Sequence, residues 1–329
     1  MGRSPSPVSR PDTMTRPSAT NRFADPLRAH PAFHAGRDAV VIAAPAKLNL
    51  FLEILRKRPD NYHDLESLMV AIDLFDTLET RAAAPDEITL RCEPDTLSTG
   101  PDNLVHKAAT ALREFAARPE LGASIRLVKR IPTQAGLGGG SSDAAAALVG
   151  LNQIWKLGLT RDELVGIAAS IGSDVAFFLT LPVAWCTGRG EVTTPEPTPG
   201  GSGLYFVLVF PPVGVSTAEV YKRLTVPKEP LAGFAVRTAF QSGDATALGL
   251  AMFNRLEEPA FALEPIVGRI RKRLGQLNPA GAMMSGSGST VFAPCRDSYE
   301  AQRVASAFKD SRPGDEPEAR VLVVRGFTP

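Results

Sequence analysis

Residues 134–148 read QAGLGGGSSDAAAAL. Four of the five residues from Gly136 to Gly140 are glycine, and they run straight into Ser141, Ser142, Asp143 and an alanine-rich block. Glycine at that density weakens packing and raises the entropy lost on folding. Alanine is the best helix former. A strand, a glycine turn and a helix start, in that order, reconcile the two. The first turn of a helix has N–H groups without partners and carries the positive end of the helix dipole. Glycines let an anion come close to that end, and serine hydroxyls add donors. The segment is therefore expected to cradle a phosphate. Asp143 is the residue out of place, because its charge repels a phosphate; it is expected to point away.

The flanks support this order. Ser124–Arg130 alternates polar and apolar residues as a strand does, and a helix is expected from about Ser142 to Lys156. Thr160 and Glu163 form a capping box for the next helix. Toward the N-terminus, 39–44, 47–55 and 86–92 read as strands, with a turn at 59–61. Residues 65–78 are apolar without a single period and read as mixed strand. Asp102 is expected to cap a helix through about Ala117, with Leu104, Ala108, Ala111, Leu112 and Phe115 on its buried face. Toward the C-terminus, 182–187, 204–210 and 320–326 read as strands. The pattern is mostly helical over 216–274 and again over 297–309. Residues 282–293 hold a second glycine-serine turn between apolar flanks, and 195–203 is rich in Pro, Gly and Thr, as a linker or exposed hairpin is. Strands and helices mix without strict alternation, which favours α+β over a doubly wound sheet. The expected division is 39–194 and 204–329.

Length and composition narrow the function. The chain has 329 residues and a formal net charge of +1, enough length for two modest domains and no electrostatic case for nucleic acid. No apolar run approaches a membrane span. Cys92, Cys186 and Cys295 are far apart with no C-x-x-C pair, which argues against a zinc site or a disulfide framework and suits a reducing compartment; a cytoplasmic protein is expected. Residues 1–38 are rich in Pro, Ser, Thr and Arg without hydrophobic periodicity, and read as a disordered extension. A transit peptide or a later start at Met14 are the other readings. His30 and His34 have helical ligand spacing but no third ligand, so no metal site is expected there.

Which phosphate binder is this? A nucleotide P-loop needs Gly-Lys-Ser/Thr, and no Gly-Lys dipeptide occurs in the chain. A dinucleotide fingerprint needs a third glycine where Ser141 stands. The H-R-D and D-F-G segments of protein kinases are missing. Three segments in order decide the class: PAKLNL at 45–50, PTQAGLGGGSSDAA at 132–145 and SGSGSTVF at 285–292. Together they resemble the GHMP kinase superfamily of galacto-, homoserine, mevalonate and phosphomevalonate kinases. AKLNLFL at 46–52, NYH at 61–63, DNL at 102–104 and GSDVAFF at 172–178 point within it to the branch that phosphorylates a cytidine diphosphate-linked methylerythritol. Homoserine and mevalonate kinases are the alternative. A non-catalytic nucleotide-binding protein on the same fold is a further reading, and a dinucleotide oxidoreductase a remote one.

The resemblance implies a two-domain α+β fold with a deep cleft, ATP along the glycine loop, and Mg²⁺ arriving with it. It implies transfer of the γ-phosphoryl group to the acceptor's 2-hydroxyl, in the non-mevalonate route to isoprenoid precursors. Lys47 and Asp174 match the catalytic pair. By pattern alone Lys47 reads equally as an edge-strand gatekeeper and Asp174 as a helix N-cap. Asn103, Pro132, Gly136, Leu137, Gly138, Gly139, Gly140, Ser141 and Ser142 match the ATP site. Asn49, Tyr62, His63, Tyr221, Ser287 and Gly288 match the acceptor site, with His63 on the cytosine edge and Tyr221 stacked on the base. By pattern alone, Tyr221 also reads as a core aromatic. The glutamate that binds magnesium in mevalonate kinase has no equivalent that can be placed here, so no protein metal ligand is assigned. A monomer or weak homodimer is expected, with no nucleic acid or membrane partner.

Overall fold

Two long antiparallel strands frame the molecule, whose computed structural model describes residues 33–36, 38–199 and 203–326. β1 (Phe33–Ala35) pairs with the start of β2 (Ala39–Lys57), and β2 pairs along most of its length with β3 (His63–Ala83). The strands expected at 39–44 and 47–55 are thus one. Pro45 does not break it, because the register shifts between Pro45 and Ala46, and a bulge is where a strand tolerates proline. The stretch 65–78 lacks a clean period because Ser67 to Ile72 are all buried. β1 also corrects the extent of the expected disorder. Residues 33–35 are ordered by main-chain pairing to β2, which needs no hydrophobic period. Residues 1–32 and 37, His30 included, lie outside the described residues.

β4 (Ile88–Glu93) and α1 (Leu104–Phe115) follow, then β5 (Gly122–Val128) and α2 (Gly139–Ile154). α3 (Arg161–Ile171), α4 (Val175–Phe178), β6 (Val183–Thr187) and β7 (Val192–Pro195) complete the first half. The capping box of α3 forms as expected. The cap of α1 is Asn103 rather than Asp102: its side chain accepts from the Val105 N–H. The buried stripe of α1 is Val105, Ala108, Ala109 and Leu112, at helical spacing, and this leaves Phe115 54% exposed.

The second half holds β8 (Tyr205–Phe210), α5 (Thr217–Arg223), α6 (Phe234–Ser242), α7 (Ala245–Ala251) and β9 (Phe253–Asn254). Then come α8 (Glu257–Leu263), α9 (Pro265–Gly275), β10 (Met283–Met284), β11 (Val291–Cys295), α10 (Ser298–Asp310) and β12 (Arg320–Arg325). The first sheet runs β1-β2-β3-β5-β4, with β6 on the other stretch of β3 and β7 beyond it. The second runs β10-β11-β8-β12. β9 crosses from the second half to pair in parallel with β2, at Phe51 and Leu52. The expected division near 195–203 separates the two sheets' main strands but not their edges.

α2 anchors the site. Ser142 to Leu151 are all buried, and the helix packs on β2, β3, α1 and α4. A helix apolar all round belongs in a core, and the small side chains of Ala144–Ala147 let several elements close on it. Phe177 and Phe178 of α4 are fully buried in the same core, contributing roughly 1.5–3 kcal/mol each.

Candidate active site

The glycine loop occupies the gap between β5 and α2, but the helix begins at Gly139, three residues before Ser142. Gly138 caps it with φ of 68°, in the left-handed region. A Cβ there would lie 2.9 Å from Phe178 Cζ and 3.0 Å from Lys47 Cγ. At Gly136, φ is 74° and a Cβ would sit 2.0 Å from the Ser285 carbonyl oxygen. Both glycines are demanded by close approach as well as by backbone angle. The Lys47 N–H donates to Leu137 O at 3.0 Å, tying the loop to β2.

The second glycine turn, 285–288, buttresses the first. Ser285 Oγ donates to Gly136 O at 2.9 Å, and the Thr290 N–H donates to Ala135 O at 3.2 Å. Asn254 Nδ2 donates to Met284 O and Gly286 O, at 2.8 Å each, and so holds the turn from β9. Ser287 and Gly288 lie on the wall of the cavity below, with the Ser287 hydroxyl 2.7 Å from that of Thr217.

Lys47 is 3% exposed, in the middle of β2. Its Nζ donates to Gly136 O at 2.9 Å and to Asn49 Oδ1, and lies 3.6 Å from Asp174 Oδ2. It is no edge-strand gatekeeper. Burial pulls its pKa down from the usual lysine range, and the Asp174 charge opposes that pull. Asp174 stands at the N-cap position of α4, yet its side chain makes no capping bond and faces Lys47 instead.

Asn49, two residues on, shares the face of β2 with Lys47. Both ends of its amide are committed: Oδ1 to Lys47 and Nδ2 to Ser67 Oγ, at 2.8 Å. The Ser67 hydroxyl in turn donates to Phe51 O at 2.6 Å. Asn49 touches the cavity, but its amide fixes the lysine. Cys186 is buried on neighbouring β6, where burial first and the Asp174 charge second raise its thiol pKa. All three cysteines are free and buried.

These groups sit in a cavity of about 1150 Å³. Gly136–Ser141, Asn103, Leu104, Leu127 and Pro132 line it. So do Tyr62, His63 and Tyr221. The His63 and Tyr221 rings are 5.2 Å apart, tilted by 36°. Burial, and after it the Lys57 charge, lower the His63 pKa and so disfavour the charged ring. Tyr221 is half-buried: it lines the cavity and also packs against the core of the second half.

Three expectations about the loop change. Ser142 is buried off the cavity wall, because helix rotation from Gly139 carries it inward, and its hydroxyl has no partner among the described residues. Asp143 does line the cavity; its charge is offset by pairing, not by facing away. Its Oδ2 accepts from Lys129 Nζ at 2.6 Å, and the same ammonium donates to Asp76. Burial raises the Asp143 pKa to about 7, against the pull of Lys129 and with the push of Asp76. Asn103 reaches the wall, but Nδ2 donates to Ser98 O at 2.7 Å and Oδ1 caps α1. Its amide holds the loop in shape.

The profile described as "GHMP kinases N terminal domain" matches residues 103–180, and "GHMP kinases C terminal" matches 236–313. The 4-diphosphocytidyl-2-C-methyl-D-erythritol kinase of Pelotomaculum thermopropionicum is 42% identical over 294 residues, which is 88% of this chain and 99% of that protein. The chain belongs to the GHMP kinases. A second kinase of this name, from Geobacillus kaustophilus, is 42% identical over 273 residues, covering 82% of this chain and 92% of its own. A crystal structure of 4-(cytidine 5'-diphospho)-2C-methyl-D-erythritol kinase aligns with a TM-score of 0.71 at 32% identity, over 87% of this chain and all of that one. The homoserine kinase of Cytophaga hutchinsonii reaches the same TM-score, 0.71, at 20% identity over 89% of this chain and 96% of its own, and so shares the fold.

Within this GHMP kinase, several residues at the site carried no sequence signal. Ser67, which holds Asn49, lies in an unremarkable apolar strand. Lys129 belongs to a basic pair that reads as a strand end. Arg189 stands between two glycines, Gly188 and Gly190, and that placement is the one signal that could have found it.

Proposed function

We infer that the chain transfers the γ-phosphoryl group of ATP to the 2-hydroxyl of 4-diphosphocytidyl-2-C-methyl-D-erythritol, giving the 2-phosphate and ADP. One observation carries this reading: Lys47 Nζ lies 3.6 Å from Asp174 Oδ2 in a cavity lined by a glycine-rich helix start and by a His63–Tyr221 ring pair. Phosphoryl transfer needs chiefly positioning and charge stabilisation. The first-turn amides of α2 receive the phosphates. The Asp174 side chain, free of capping duty, accepts the proton of the attacking hydroxyl. Lys47 meets charge developing on the transferred group. Its own place is fixed by Asn49 and Gly136 O before substrate arrives. Leu104, Leu127 and Pro132 offer an apolar wall for the adenine.

Mg²⁺ accompanies the nucleotide and would neutralise phosphate charge. Of the two carboxylates on the cavity wall, Asp174 and Asp143, the second has an unpartnered oxygen, Oδ1, and fits a cation. The ring pair favours a cytosine-bearing acceptor over homoserine or mevalonate, which have no ring to stack. Among the described residues no helix is long and apolar enough to cross a membrane; a cytoplasmic monomer or weak homodimer fits this reading.

The test is turnover with ATP and each of three acceptors, with the phosphorylated position assigned by ³¹P NMR. The cytidyl substrate should give the highest kcat/KM, with phosphate on its 2-oxygen. A higher kcat/KM for homoserine or mevalonate would sink this assignment.

A further inference from the structure

The acceptor proposed above has a base at one end, a reacting hydroxyl at the other and a diphosphate between. If that reading holds, the wall joining the two ends of the site must meet about two negative charges. Most cations on the cavity wall are already committed. Lys47 holds Asp174, Asn49 and Gly136 O. Lys129 holds Asp76 and Asp143. Lys222 donates to Glu219 at 2.6 Å. Lys57 lies opposite His63 in the β2–β3 register, at the ring end rather than between the ends.

Arg189 is placed differently. It sits on the turn that joins β6 to β7, flanked by Gly188 and Gly190. Its guanidinium carbon lies 4.8 Å from the centroid of the Tyr62 ring. The same turn leans on the reacting end: a Cβ at Gly190 would lie 3.6 Å from Ser173 Cβ and 3.8 Å from Asp174 Oδ1. Arg189 therefore bridges the span from the rings to the catalytic carboxylate. Its other contacts are weak. Nε is 3.6 Å from Glu191 Oε1, and Nη2 donates to Ala169 O at 3.5 Å. The Arg189 main-chain N–H donates to Glu191 Oε2 at 2.6 Å, so that carboxylate is largely spent on the backbone. The side chain is 28% exposed, open to a ligand in the cavity.

We propose that Arg189 binds the diphosphate of the acceptor, with the face of Tyr62 holding the guanidinium flat. A guanidinium presents two parallel N–H donors to phosphate oxygens and stacks on an aromatic ring at once. A lysine keeps the charge but supplies neither the fork nor the plane.

The experiment is competitive inhibition against the acceptor by CDP and by cytidine, in the wild type, Arg189→Met and Arg189→Lys. CDP should bind the wild type more tightly than cytidine does. In Arg189→Met that advantage should shrink about tenfold or more, with cytidine inhibition and the KM for ATP within twofold of wild type. Arg189→Lys should fall between. Equal weakening of CDP and cytidine would overturn the proposal, since Arg189 would then only support the rings. An unchanged CDP advantage would overturn it too. If neither compound competes with the acceptor in the wild type, the acceptor reading fails first and takes this inference with it.

Discussion

The reacting end and the ring end of the cavity are built on opposite plans. At the reacting end, Lys47, Asn49, Ser67 and Ser285 are all 3% exposed or less, and each polar atom is tied to a neighbour. At the ring end, Tyr62 is 52% exposed and His63 and Tyr221 are half-buried, with rings facing rings. Charge stabilisation works through groups fixed before the reaction, because reorganising them costs energy in the transition state. Recognition of a planar base needs faces and room. The difference teaches where changes should strike: kcat at the buried end, KM for the acceptor at the open end.

The strongest test of this contrast is Asp174→Asn, which keeps the shape and removes the base. We expect kcat to fall by roughly 10³, within the 10²–10⁴ range for a positioned proton acceptor, with the KM for ATP within threefold. Steady-state kinetics measures both; a variant retaining a tenth of wild-type kcat breaks the contrast. Gly136→Ala comes next. Its Cβ would meet the Ser285 carbonyl at 2.0 Å, so the loop must shift and take the Lys47 acceptor with it. Both kcat and the KM for ATP should worsen, by about tenfold or more together, and the melting temperature should drop by several degrees. Tyr221→Ala sharpens the other side. The KM for the cytidyl acceptor should rise roughly tenfold, the scale of one lost base–aromatic stack, while kcat stays within threefold. An equal fall in kcat would mean that the two ends are not separable.

The smallest effect is one of stability. Asp143 is raised to about 7 by burial, so the folded state takes up a proton more readily than the unfolded chain. Its favourable contribution is complete below the ordinary aspartate pKa and is lost as pH rises through about 7. Asp143→Asn should flatten this decline. Relative to wild type the variant should gain on the order of 1–3 kcal/mol between pH 4.5 and 7.5, read from urea midpoints. A gain in the opposite direction with rising pH would show that Lys129 controls the site and burial does not.

Much of this architecture was legible. The glycine loop, the capping box at Thr160, the strand at 204–210 and the buttressing turn at 285–288 all follow from local chemistry: backbone freedom, capping hydroxyls, alternation. Other assignments slipped where two local choices were close. Asp102 and Asn103 are both capping residues, and one position decided which capped α1. Ser142 looked like a phosphate donor until the helix start moved to Gly139. Of the residues that were missed, Ser67 and Lys129 have ordinary neighbours in sequence, and Arg189 is marked only by its two flanking glycines. Their significance comes from what the fold sets against them.

The sequence by itself determined the glycine turn at a helix start and the kinase family. Glycine is required by backbone angle and close approach, and those demands are written at each position. Only the tertiary structure decided which side chains act on which. It placed Asp174 against Lys47 rather than on its own helix, made the Asn49 amide a support for the lysine, and paired Asp143 with Lys129. Burial and partner choice set charge and position, and both depend on strands and turns that are distant in the chain.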